Sequence, residues 1–349
     1  MTPQVEAFRT SNGARIYRIH LELFPIVSGY AHLVFTDDVV ALIDVGSGFG
    51  ESNDQLEAGI EEVRVAHGEP VTWDNITHVL ITHGHIDHFG GLRFVRQKTS
   101  AKVGIHELDL RVLANYEARL TVIERRLREF LVEAGVSETD CQSIMELYLF
   151  NKQLFSSVPP DFTYATVGMQ IGSMKIVHVP GHCPGQVVIR LDDVLFSADH
   201  ILERISPHLA PERLSLNTGL GHYLESLKRA YPVADGIRLT LGGHEGPIED
   251  VKSRILEIVQ FHMERLELVL EILDEPKTVV EISSALFPNV GGYHKLLALE
   301  ETSAHVEYLY QREYLRIDNL KEMDIAGPVP IRYCRLEGMS RLRSHFKVE

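Results

Sequence analysis

The sequence predicts an α/β fold that carries a helical insert and a mostly helical C-terminal module. Three observations carry this expectation. Short, β-branched apolar runs alternate with helical stretches over the first 100 residues. A charged, helix-favouring tract from about 107 to 155 interrupts them, and beyond about residue 250 strand signals almost cease. Over 349 residues, a composition 44% hydrophobic and 24% charged is that of a globular chain. It excludes disordered, collagenous and low-complexity classes.

In chain order, RIYRIHLELF (15–24) and AHLVFT (31–36) alternate as strands do, and VVALIDV (39–45) reads as a more buried strand. The Gly46-Ser47-Gly48 turn ends it, and an amphipathic helix follows from about Asn53 to Val65. THVLIT (77–82) is a strand that runs into HGHIDHFGG, after which LRFVRQK is helical. LRVLANYEARLTVIERRLREFLVEAG has apolar residues at helical spacing and stops at Gly135. Ser137 then caps a second helix to Phe155, which Pro159-Pro160 terminates. Strands return at 162–167, 174–180, 186–191 and 194–198, followed by a helix over 222–231 and a strand and turn over 236–244. A long helix spans about Glu249 to Leu273. The helix, helix, helix, strand rhythm after it suggests a winged helix-turn-helix module. The expected organisation is a catalytic domain over 1–250 with its insert at 107–155, a winged-helix-like module over 251–322, and a tail over 323–349.

Charge and cysteine content narrow the function. Lys and Arg number 34 against 49 Asp and Glu, a formal net charge of −15, which repels nucleic-acid backbones. Residues 251–320 hold seven Lys/Arg and twelve Asp/Glu, and the candidate recognition helix near 303–314 has Glu307 and Glu313 against Arg312. A groove-reading helix needs the reverse. No apolar run reaches the roughly 18 residues of a membrane span, and Met1 to Asn12 holds no apolar h-region. Cys141, Cys183 and Cys334 form no disulfide framework. The expectation is a reduced, cytoplasmic protein, not bound to membrane or nucleic acid, acting on a small molecule and able to form a homodimer.

The chain holds 18 histidines, and their positions matter more than their number. His83-Gly84-His85-Ile86-Asp87-His88 places four potential ligands within six residues, directly after a strand. Where the chain leaves the sheet, side chains no longer alternate between two faces. Asp87 and His88, at the start of the next helix, then lie beside but not on top of His83 and His85. This layout suits two neighbouring metals better than one, with an open position for chemistry. Further candidates end later strands: His182 in Pro180-Gly181-His182-Cys183-Pro184-Gly185, Asp199 in Phe196-Ser197-Ala198-Asp199, and His244 in Gly242-Gly243-His244-Glu245-Gly246-Pro247. Cys183 reads as a small buried thiol, and Asp44 as the acceptor that fixes a histidine tautomer.

Taken together, HxHxDH, GHxPG, an Asp after an apolar strand, and GGHxGP, in that order over about residues 15–250, resemble the metallo-β-lactamase superfamily of hydrolases. The resemblance implies an αββα sandwich with metals at one edge. It implies that His83, His85 and His182 hold one zinc ion, that Asp87, His88 and His244 hold a second, and that Asp199 bridges them. The phrases SADHILERISPHLAP and HYLESLKRAY are similar to the glyoxalase-II-like and winged-helix-tailed members, although Gln186 stands where many of these carry a second His. The implied reaction is attack by a hydroxide shared between two zinc ions on the activated carbonyl of a thioester or lactone, with Asp87 moving a proton. Iron or manganese are alternative metals. The alternative activities are those of a metal-dependent endoribonuclease or phosphodiesterase, or of a mononuclear-iron persulfide dioxygenase.

His208 and His222 are expected to line a substrate pocket. The insert can cover the sheet or form a lid with Tyr116, Met145, Tyr148, Phe150 or Phe155 toward an acyl chain.

Overall fold

The computed structural model describes residues 5–152, 155–324 and 327–336. In chain order its strands are β1 (Val5–Arg9), β2 (Arg15–Phe24), β3 (Val27–Phe35), β4 (Val40–Ile43), β5 (His78–Leu80), β6 (Lys102–Ile105), β7 (Phe162–Thr163), β8 (Gln170–Ile171), β9 (Met174–His178), β10 (Val187–Leu191), β11 (Val194–Ala198), β12 (Leu239–Gly242), β13 (Leu315–Ile317) and β14 (Tyr333–Arg335). The helices are α1 (Ser52–Val65), α2 (Ile86–Phe89), α3 (Leu92–Lys98), α4 (Leu110–Ala114), α5 (Tyr116–Glu133), α6 (Glu138–Lys152), α7 (Leu220–Val233), α8 (Val251–Ile272), α9 (Val279–Leu286), α10 (Tyr293–Gln311) and α11 (Leu320–Met323). They fall into two compact units. The first comprises 1–116, 155–207 and 229–255; the second comprises 117–154, 208–228 and 256–349.

The first unit is a two-sheet sandwich. One sheet runs in the order β1-β2-β3-β4-β5-β6-β7, antiparallel through β4 and parallel from β4 to β7; the other runs β12-β11-β10-β9-β8. Parallel pairing needs crossovers, and α1 and α3 supply them between β4, β5 and β6. The sheets face each other through a shared apolar core, with Ile16, Val34, Ile43 and Leu80 of the first packed near Ile189, Phe196 and Leu241 of the second. Buried Tyr164 ties in at the end of β7, donating its hydroxyl to the carbonyls of Ile81 and Gly104 at 2.8 and 3.1 Å. The αββα fold class expected from the sequence is the fold observed.

Most strands sit where the β-branched runs placed them. The 2-residue β7 is an exception: the 162–167 run turns into a tight helical turn at Ala165–Val167. Strands β1 and β6 were not anticipated. KVGI is only four residues long, and parallel pairing with β5 at Val79↔Val103 makes it a strand.

The second unit is mainly helical. Thr278 opens α9 through reciprocal capping: Thr278 Oγ1 accepts from Glu281 N at 3.3 Å, and Glu281 Oε2 accepts from Thr278 N at 2.7 Å. Val280 N donates to the Ala134 carbonyl at 2.9 Å, joining α9 to the end of α5. Where the sequence suggested two successive helices, the structure runs one, α10, over 19 residues, with the two-stranded antiparallel ribbon β13-β14 after it. Residues 325–326 and 337–349 of the expected tail lie outside the described residues, and nothing is described of the Phe150 side chain. Among the described residues, no helix is long and apolar enough to cross a membrane.

Candidate metal centre

Every residue of the centre lies in the first unit, at the ends of neighbouring strands. His83 and His85 follow β5, and Asp87 and His88 lie on α2. His182 occupies the loop between β9 and β10, Asp199 directly follows β11, and His244 follows β12. Parallel β4 and β5, and parallel β11 and β12, end side by side, so strand ends far apart in sequence open onto one edge. Side-chain donor atoms of His83, His85 and His182 lie within 4.8 Å of one another, as do those of His83, His88 and Asp199 and those of Asp87, His88 and His244. The seven residues singled out in the sequence thus come together.

Asp199 occupies the middle. Its Oδ2 lies 3.6 Å from His182 Nε2, 4.0 Å from His83 Nε2 and 3.5 Å from His244 Nε2, while its Oδ1 lies 3.3 Å from His88 Nε2. Asp87 Oδ2 is 3.4 Å from His244 Nε2 and 3.9 Å from His88 Nε2. The far nitrogens of two rings are anchored. His88 Nδ1 is 2.8 Å from Asp44 Oδ2, and His244 Nδ1 is 2.7 Å from the Ser28 carbonyl, so each Nδ1 donates and each Nε2 faces the carboxylates. Asp44 also accepts from the Thr82 N–H and hydroxyl, both at 2.8 Å. Its role as an orienting acceptor was legible in the sequence.

Non-glycine left-handed backbone marks three residues here: Asp44 (φ 56°), Ala198 (φ 46°) and Glu245 (φ 60°). Such conformations persist only where surrounding structure over-determines them, and they collect at functional sites.

The electrostatics divide the histidines. Burial, reinforced by neighbouring rings, holds His83 and His85 well below the ordinary imidazole value, so both are neutral donors. Burial opposes charge on His88 and His244 too, but Asp199 with Asp44 and Asp87 outweighs it for His88, and Asp199 and Asp87 lift His244 to about 11. Neighbouring carboxylates thus favour a proton on each of these two imidazoles. These are positions where a divalent cation would displace protons, because ligating imidazoles must be neutral. Nε2 of His83 is buried with no hydrogen-bond partner, which a hydrogen-bonded structural cluster does not explain and a cation does. The donor set fits a pair of divalent ions.

One residue that supports the centre was missed in the sequence. Asp109 is fully buried and accepts the Gly84 N–H at 2.8 Å. A Cβ on Gly84 would come within 3.1 Å of the Asp109 carboxyl carbon, and one on Gly185 within 2.7 Å. The carboxylate is therefore wedged between the loop bearing His83 and His85 and the loop bearing His182, and both loops need glycine there. An acid closely following an apolar strand was the available signal, but with β6 unrecognised Asp109 read as part of the insert. Asp109→Ala is expected to lower metal affinity about 10–100-fold, as loss of outer-sphere support does. Asp109→Asn, which keeps an acceptor for Gly84, should lose less. Chelator competition on the two variants measures this, and equal affinities in both and in the parent would remove the role.

The four residues expected to line a substrate pocket are held in different surroundings. Tyr116 belongs to the first unit and is buried, with its ring centroid 6.1 Å from Phe89 and 6.2 Å from Phe155. Tyr148, His208 and His222 belong to the second unit. There His208 Nε2 lies 3.0 Å from Glu300 Oε2, and His222 Nε2 lies 2.9 Å from Glu212 Oε1. Cys183 is buried, as the sequence suggested.

Comparison with known proteins agrees with this fold. The chain is 24% identical over 295 residues to the probable metallo-hydrolase YqjP of Bacillus subtilis (strain 168), covering 79% of this chain and 86% of that protein. The crystal structure of the metallo-beta-lactamase family protein TTHA1429 from Thermus thermophilus superposes with a TM-score of 0.71 at 25% identity, covering 92% of this chain and 98% of that one. A beta-lactamase domain protein from Burkholderia ambifaria shares the fold with a TM-score of 0.67 at 22% identity, covering 95% and 94%. The Metallo-beta-lactamase superfamily itself matches residues 25–244, a span that contains all seven residues of the centre. With well over half its length matched and its donor side chains gathered at one sheet edge, this chain belongs to the metallo-β-lactamase superfamily of metal-dependent hydrolases.

Proposed function

We propose that this protein is a cytoplasmic zinc hydrolase that cleaves an activated small-molecule carbonyl, a thioester or a lactone. The observation that carries the reading is Asp199, one buried carboxylate within 4.0 Å of imidazole nitrogens from both histidine groups. A carboxylate so placed serves two neighbouring cations rather than one. His83, His85 and His182 would hold the first ion; Asp87, His88 and His244 the second; Asp199 both. A bound pair supplies Lewis acidity toward a carbonyl oxygen and water acidified to a pKa of about 7.

The protein's own groups do the rest. Three neutral imidazoles leave the first position rich in positive charge, which favours oxyanion binding. Asp87 is the more open of the two site carboxylates, with 20% of its side chain exposed against 9% for Asp199. Asp87 takes up the proton released in the attack and returns it to the leaving group. Asp44 and the Ser28 carbonyl hold His88 and His244 in one tautomer throughout. The net charge of −15 disfavours a polyanionic substrate, and the buried cysteines, with no disulfide among the described residues, suit a reducing compartment.

The test is a substrate panel of acyl-thioesters, lactones, phosphodiesters, single-stranded RNA and a persulfide, with zinc-reconstituted and iron-reconstituted protein. The expected result is turnover of a thioester or lactone by the zinc form, reduced at least ~10²-fold in Asp87→Asn. Turnover confined to RNA or phosphodiesters, or oxygen-dependent persulfide oxidation by the iron form, would overturn the reading.

A further inference from the structure

We propose that the second unit carries its own metal site, formed by His262 on α8 with Glu301 and His305 on α10, for a borderline divalent cation such as zinc. It shares no residue with the centre around Asp199 and does not depend on the function proposed above.

The site is built by helix geometry. Glu301 and His305 stand four residues apart and share one face of α10, and His262 projects from α8. All three are buried, and their donor atoms lie within 4.8 Å of one another. His305 Nδ1 donates to the Glu301 carbonyl oxygen at 2.7 Å, which fixes the tautomer and leaves the Nε2 lone pair bare. That lone pair faces His262 Nδ1 at 3.1 Å. Two imidazole nitrogens so placed share either one proton or one ion. Tetrahedral zinc, with Zn–N of 2.0–2.1 Å, separates its nitrogen ligands by about 3.3 Å.

Charge around Glu301 favours the ion. Glu301 Oε1 accepts from Arg265 at 2.7 Å and its Oε2 from the Leu209 N–H at 2.9 Å, and each oxygen retains a second lone pair. Glu300, next in sequence, faces His208 at 3.0 Å. Two carboxylates thus stand against one guanidinium, which leaves one of them to be balanced. A metal ion balances it; the competing arrangement is a proton on His208.

Metal content of the full chain, dialysed against chelator and reloaded with zinc alone, decides between them. His262→Ala with His305→Ala should lose one equivalent of zinc relative to the parent protein. A chain with the first centre disabled by His83→Ala and Asp199→Ala should still bind one equivalent and melt at a higher temperature with zinc than with chelator. Cobalt substituted into that chain should give visible absorption that His305→Gln, of similar size, abolishes. No zinc in the disabled chain, no zinc-dependent rise in its Tm, or zinc content indifferent to His262 and His305 would overturn the proposal and leave a proton-balanced cluster. If the double alanine variant fails to fold, the disabled chain and its His305→Gln derivative decide on their own. In the parent protein, a single equivalent of zinc that depends on His262 and His305 but not on His83 and Asp199 would count against the proposed hydrolase site alone.

Discussion

Asp199→Ala is expected to strip the first unit of bound metal and to lower kcat/KM on the hydrolysed substrate by about 10³-fold, which corresponds to ~4 kcal/mol of transition-state stabilisation. The size of the effect follows from position. Asp199 lies 3.3 Å from His88, 3.5 Å from His244, 3.6 Å from His182 and 4.0 Å from His83. Its removal leaves two groups of imidazoles with no common anion between them. Gly243 shows how closely the centre is fitted around this carboxylate, since a Cβ there would lie 2.5 Å from Asp199 Oδ1. Elemental analysis and steady-state kinetics on the same preparation check the result. Full metal content together with a rate within tenfold of the parent would show that Asp199 does not join the two groups.

The second large effect is expected at Asp44, which touches no candidate metal position directly. Its carboxylate accepts three hydrogen bonds, two from Thr82 and one from His88. Asp44→Ala leaves the Thr82 N–H, the Thr82 hydroxyl and His88 Nδ1 buried without that acceptor, at a cost of about 3 kcal/mol in stability. Asp44→Asn separates stability from function. Its carbonyl can still accept from Thr82, but its amide group turns a donor toward His88 Nδ1. The ring must then move its proton to Nε2, the nitrogen that faces Asp199 and Asp87. The Asn variant should therefore unfold near the denaturant midpoint of the parent yet bind metal about 10–100-fold more weakly, while the Ala variant loses both. Chemical denaturation and chelator competition measure the two quantities independently. Metal affinity unchanged in Asp44→Asn would mean that His88 is oriented by something other than this carboxylate.

Much of the centre was legible because its chemistry is local. HGHIDH, GHCPG and GGHEGP each concentrate donor residues and glycine where an apolar run ends, and a strand end is where backbone regularity stops restricting side-chain direction. The strands themselves were readable from β-branched runs with a period of two, and helices such as α1 and α8 from apolar residues spaced three and four apart. Elements escaped where the signal was short or the pairing remote. A four-residue strand such as β6 carries little periodicity, and its assignment rests on parallel hydrogen bonds to β5 across an intervening helix. The expected start of a separate helix near Ser303 failed because Glu301, Thr302 and Ser303 are buried positions inside one continuous helix, packed by the fold rather than exposed at a turn.

By itself, then, the sequence determined the α/β class, the acidic character and which side chains could ligate a metal, since each of these depends on residue type and near-neighbour spacing. Only the tertiary structure decided which of them meet. Asp109 reaches Gly84 across 25 residues, Asp44 reaches His88 across 44, and His262 reaches His305 across 43. No local pattern encodes such contacts. They arise when two sheets close on a common apolar core in the first unit and when helices pack in the second, because burial then forces each polar group to find its partner wherever the packing has placed one.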